Sequence, residues 1–102
     1  MKKSVYDFAP PVGQERFDTL FEHNNVTVER IVSSGSQPVV RYVQEHEEWV
    51  MLVSGEADMT VQGQPVSLRA GDTLRLPAHV PHEVLRTSAG AVWLAVHVRE
   101  AK

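Results

Sequence analysis

The sequence predicts an all-β jelly-roll barrel with a short helix on its N-terminal side. Three observations carry this expectation. From Val26 onward apolar and polar residues alternate with a period of two. Turn-forming residues cut that alternation into about eight β-rich runs within roughly seventy-five residues, with no second helical pattern. Ahead of it, Phe17, Leu20 and Phe21 recur at i, i+3 and i+4, the spacing of one helix face.

Taken in order, a tail containing Pro10-Pro11 leads into the expected helix over Gln14–Glu22, which would pack on something else. Strands are then predicted at Val26–Val32, Val39–Gln44, Glu48–Val53, Ala57–Gln62, Pro65–Leu68, Thr73–Leu76, His82–Leu85 and Ala91–Val98. Turns fall at Ser33–Gln37, Ser54-Gly55, Gly63, Ala70-Gly71 and Ser88–Gly90. The organisation expected is an N-terminal extension over 1–25 and one barrel domain over 26–102. In Glu48–Val53 both faces are apolar apart from Glu48, so the face carrying Trp49 and Met51 needs a cover, and a homodimer is expected.

The 102 residues suffice for one domain with one core and one small pocket. With no cysteine, thiolate nucleophiles and Cys-ligated zinc are excluded, and any metal must be held by nitrogen and oxygen. The net charge is −3, and the lysines Lys2, Lys3 and Lys102 lie at the ends, so no basic stripe favours nucleic acid. No window approaches a membrane span and no apolar leader follows the first charges, which gives a cytoplasmic protein as the expectation. Histidines and carboxylates are left to carry the chemistry.

The most informative stretch is Gly71-Asp72-Thr73-Leu74-Arg75-Leu76-Pro77-Ala78-His79-Val80-Pro81-His82. A tight turn, a short strand and a proline-stiffened corner deliver His82 to a defined place. This stretch resembles the second motif of the cupin superfamily, with Gly71, Pro77 and His82 at the family's positions and His79 where the family more often has Gly. The resemblance implies a cupin-type double-stranded β-helix and a divalent-metal role for His82. Tyr42-Val43-Gln44-Glu45-His46-Glu47-Glu48 through Gly55 is similar to the first motif, a His-x-His followed by Glu and Gly. Glu48 and Gly55 match, whereas Tyr42 and Gln44 stand where two histidines are usual. Further phrases, Glu29-Arg30-Ile31-Val32-Ser33 and Val92-Trp93-Leu94-Ala95-Val96-His97, extend the likeness over about residues 15 to 98. They resemble small, uncharacterised bacterial cupins that use Gln in place of the second His.

If the strands flanking Glu45-His46-Glu47 form a hairpin, Gln44 lies nearly opposite Glu48, with Cβ atoms about 5 Å apart. Both then reach one ion, with His82 coming from a third strand. The expected ligands are therefore Gln44, Glu48 and His82, and the expected cofactor is a divalent transition metal: iron, manganese, nickel, copper or zinc. Tyr42 and His97 are the candidates for proton transfer or for positioning a substrate. Each has a plainer role open to it: a corner histidine for His82, a solvated carboxylate for Glu48, a barrel-lining aromatic for Tyr42, a packed core histidine for His97. His46 is expected to point outward from a solvated loop tip, although a straight strand would bring it onto Glu48's face. His79 is expected at the rim and His23 in a loop, while Arg41 or Arg86 could neutralise an anionic ligand.

The expected function is a small metal-dependent enzyme, of the oxygenase or the isomerase and lyase class, acting on a small organic molecule in the barrel. The alternatives are a non-catalytic binding or sensor module with a degenerate metal site, and a structural dimer.

Overall fold

Alternating β-branched and aromatic residues make strands wherever a neighbour can take up their backbone hydrogen bonds. In the computed structural model, which describes residues 2–100, nine strands form. They are β1 (Arg16–His23), β2 (Val26–Val32), β3 (Arg41–Tyr42), β4 (Glu47–Ser54), β5 (Glu56–Val61), β6 (Gln64–Arg69), β7 (Thr73–Leu76), β8 (His82–Thr87) and β9 (Val92–Val98). All pairings among them are antiparallel. One sheet has the order β1-β2-β9-β4-β7 and the other β3-β8-β5-β6. Positions 1, 101 and 102, at the limits of the expected extension and barrel, lie outside the described residues.

The inward residues of both sheets meet in one core containing Val50, Leu52, Met59, Leu68, Leu76 and Trp93. Leu52 and Leu76 are almost wholly buried, and truncating either to Ala would cost about 2–5 kcal/mol. The jelly-roll architecture is thus as the alternation predicts.

His23, expected in a loop, is the last residue of β1 and pairs with Val26. Two larger expectations are also corrected. The segment Gln14–Glu22 forms no helix: its Arg16–Glu22 part belongs to β1, which pairs along the edge of β2. The helix-like spacing has a local cause. A bulge between Thr19 and Phe21 leaves Leu20 outside the ladder, so Phe17 pairs with Ile31 and Phe21 with Val28, on opposite faces. Pairing with β2 satisfies a whole row of backbone groups, which outweighs a weak three-residue helical pattern. Second, Val39–Gln44 and Glu48–Val53 do not form a hairpin. Only Arg41–Tyr42 is a strand there, and it pairs with β8, while β4 pairs with β7 and β9 in the other sheet.

On the outer face of the larger sheet, Phe21, Val28, Val96 and Trp49 stand in one cross-strand row. Trp49 and Phe21 in that row are exposed. The next row is covered by the N-terminal segment: Arg30 donates to the carbonyls of Val5 and Asp7, pairs with Asp18, and lies beneath the Phe8 ring.

Candidate functional site

A cavity of about 90 Å³ opens between the sheets. Glu48, His82, Gln44, Tyr42 and His97 all line it. Glu48 is the second residue of β4, buried, and directly opposite both Leu76 of β7 and His97 of β9. His82 opens β8 after the Pro77–Pro81 corner and is equally buried. Its register partner is Tyr42, and the two rings stack with centroids 5.6 Å apart. The Nδ1 of His82 lies 3.3 Å from the Val80 carbonyl oxygen, which suits an Nδ1–H donor. Nε2 then carries a lone pair, and it has no hydrogen-bond partner among the described residues.

Gln44 reaches the same place from the segment that follows β3. Its backbone carbonyl accepts the His79 N–H at 2.6 Å, which ties the segment after β3 to the corner before β8. Its side-chain amide donates to a Glu48 oxygen at 2.8 Å. His79 holds φ of +67°, the left-handed conformation that explains why glycine suits this position. Gly55 likewise takes φ of +93°, in the turn between β4 and β5.

His97 connects the pocket to its mouth. Its Nε2 lies 3.2 Å from a Glu29 oxygen and 4.0 Å from Glu48, and its Nδ1 lies 2.9 Å from His46 Nε2. The Glu29 hydrogen bond raises the His97 pKa above the ordinary imidazole value, against the opposing effect of burial. Burial lowers that of His46, with the charges of Arg99 and His97 acting in the same direction. His97 is therefore the more basic of the two rings; its Nε2–H suits donation to Glu29, and the short contact between its Nδ1 and His46 Nε2 holds one proton between the two nitrogens. The expectation that His46 points out to solvent is corrected, because its ring is half-buried edge-on against His97.

Among the pocket residues that escaped sequence reasoning are Glu15, Phe17 and Glu29. Glu29 was legible in principle, since it shares strand parity with Ile31 and so faces inward. Glu15 precedes β1 and carries no periodic signal. Its carboxylate accepts from Ser33 Oγ at 3.3 Å, and that hydroxyl in turn accepts the Trp93 indole N–H at 3.0 Å. Burial raises the Glu15 pKa, and the Glu29 charge adds to this. The Tyr42 pKa is also raised, by burial first and then by the charges of Glu15, Glu48 and Glu29. Tyr42 thus feels all three carboxylates.

The fold brings the predicted set Tyr42, Gln44, Glu48, His82 and His97 together around one cavity. Arg41, Arg86, His23 and His79 do not line it, and Arg86 pairs with Asp58 instead. Among the described residues, no three His, Asp or Glu side chains are close enough to hold a metal by themselves. A set for an ion here would have two such ligands, Glu48 and His82, plus the Gln44 amide. The donor chemistry suits an ion at two points. His82 has the arrangement of a ligating histidine, with one ring N–H held by a carbonyl and the other nitrogen bare. Rotating the Gln44 amide would present its oxygen beside Glu48 in place of its N–H.

The structure is similar throughout to that of a provisionally described mannose-6-phosphate isomerase from Ralstonia eutropha JMP134. The two are 36% identical, with a TM-score of 0.87 over 98% of this chain and 99% of the other. A protein from Thermus thermophilus has TM-score 0.82 at 20% identity, covering 96% of this chain and 95% of its own. A cupin superfamily protein from Desulfitobacterium hafniense DCB-2 has TM-score 0.81 at 18% identity, covering 94% and 87%. At those identities the last two speak for the fold alone. No curated protein matches the sequence. The family profile described as Cupin domain matches residues 28–97, which span β2 to β9 and every predicted site residue, and this chain belongs to the cupin family.

Proposed function

We propose that this cupin is a small metal-dependent enzyme whose barrel pocket turns over a small organic molecule. The observation that carries the reading is the pairing of two nearly buried groups, Glu48 and a His82 whose Nε2 is bare, on the wall of one cavity. Glu48, His82 and the Gln44 side-chain carbonyl would hold a divalent transition metal. Such an ion supplies a Lewis acid with open positions for a substrate oxygen. Around it, His97 holds or gives a proton at Nε2 under the control of Glu29. Tyr42, its hydroxyl pKa raised by burial and then by three nearby carboxylates, donates a hydrogen bond to the substrate. The apolar walls of Val50, Met59 and Leu76 exclude water. Proton movement between neighbouring carbons, as in an isomerase or lyase, uses these groups most fully. The provisional isomerase name of the Ralstonia protein is in keeping with that class.

The second reading is a metal-free binding module. It is favoured by the Gln44 amide N–H bonded to Glu48, which compensates the carboxylate without an ion. Elemental analysis of tag-free protein prepared without chelators separates the two. Near-stoichiometric transition metal, lost in Glu48→Ala and His82→Ala, supports the enzyme reading. No metal after loading with several divalent ions leaves the binding module. The proposal includes a homodimer, formed by a second copy seated on the exposed row of Phe21 and Trp49.

A further inference from the structure

We propose that the pocket selects a small organic cation, a protonated or quaternary amine, and rejects phosphorylated sugars and other anions. This rests on the reading of the cavity as the functional site and goes further by naming the class of ligand.

The charged groups lining the cavity are of nearly one sign. Glu15, Glu29 and Glu48 contribute carboxylates, and neither Lys nor Arg is among the lining residues. Arg99, whose charge reaches His46 and His97, bonds Thr27 Oγ1 and does not line the cavity. Arg30 is turned to the outer face, where Asp18 and the N-terminal segment hold it. A phosphate dianion would therefore enter without a guanidinium or ammonium to receive it, beside carboxylates that repel it.

The carboxylates are not all consumed by protein donors. Glu48 has Gln44, and Glu29 has His97 on one oxygen. Glu15 has only the long contact from Ser33 Oγ, although it is half-buried. A partly desolvated carboxylate with one weak donor gains from a cation. The aromatic rings of Phe17, Tyr42 and Trp93 line the same cavity, and ring faces attract ammonium groups. In the metal-free pocket the nearly buried His82 adds an Nε2 acceptor with no partner among the described residues, which suits an ammonium N–H. A divalent ion at Glu48 and His82 would offset two of the three carboxylate charges, so the preference belongs to the metal-free pocket and narrows on metal loading.

The test is calorimetric titration of the protein, as purified and after metal loading, with choline, ethanolamine, glycerol and mannose 6-phosphate. In the metal-free protein choline or ethanolamine should bind at least tenfold more tightly than mannose 6-phosphate, and metal loading should narrow that margin. Their affinity should fall roughly tenfold in Glu15→Gln and in Glu29→Gln, the scale of losing one charge-assisted contact. Tighter binding of mannose 6-phosphate, no amine binding up to millimolar concentration, or amine affinity unchanged in both variants overturns the inference. His82→Ala distinguishes the two levels. If mannose 6-phosphate binds and is lost in His82→Ala, the pocket stands and the cation preference falls. If amines bind with the same affinity in His82→Ala, Glu15→Gln and Glu29→Gln, they bind elsewhere, and both readings fall.

Discussion

His97 stands directly opposite Glu48 in the β4–β9 ladder, yet its shorter contact, 3.2 Å, is to Glu29 on the neighbouring strand β2. A single imidazole therefore links two carboxylates of the pocket wall to His46 at the mouth. Its charge state sets how that wall behaves.

Stability should peak near the ordinary imidazole pKa of about 6.5 and fall on both sides. His97, with its pKa raised, contributes stability that is complete below that value and is lost as pH rises through the folded pKa. His46, with its pKa lowered, adds stability as pH rises through its folded pKa toward the ordinary value, and this is lost on acidification. Denaturant unfolding between pH 5 and 9 should show both limbs. Glu29→Gln should flatten the upper one, and an unchanged upper limb would assign it to other groups.

Replacing Gln44 by His tests the metal set from the opposite direction to a deletion. An imidazole in place of the amide should strengthen zinc or nickel binding about tenfold or more. Equal affinity in Gln44→His and the native protein would remove residue 44 from the coordination shell.

His79→Gly should be neutral or stabilising by up to about 1 kcal/mol, because the left-handed backbone there costs a residue with a Cβ about 1–2 kcal/mol. His79→Val should lose more than about 1 kcal/mol. Thermal midpoints measure both, at about 4–8 °C per kcal/mol for a chain of this size.

Gly55→Ala should destabilise by about 2 kcal/mol or more. Its φ is +93°, and an added Cβ would lie 2.5 Å from Ser88 Oγ and 2.9 Å from the Ala91 Cβ. A midpoint within about 2 °C of the native value would mean that the turn relaxes freely.

Trp49→Lys should shift the sedimenting species from dimer to monomer while leaving the pocket's ligand affinity unchanged. A native protein that sediments as a monomer at all concentrations would sink the dimer.

Much of the barrel was legible because strand alternation is a local property. The runs 26–32 and 73–76 have the predicted bounds. The errors arise where partners distant in sequence decide. Phe17, Leu20 and Phe21 mimic a helix face because a bulge, invisible without β2, puts the two phenylalanines on opposite faces. Gln44 does meet Glu48, but from across the mouth of the barrel, since β3 joins β8. The motif around His82 located the pocket, whereas Glu15 could not be found because no periodicity reaches it.

Leu20 is surplus to the β1–β2 ladder: without it, Thr19 would still face Glu29 and Phe21 would still face Val28. The edge strand therefore contains one residue of slack between an aromatic ring that lines the cavity and one on the outer face. A chain shortened by that one residue keeps both rings where they are, so changes of length can accumulate at this edge without being felt in the cavity.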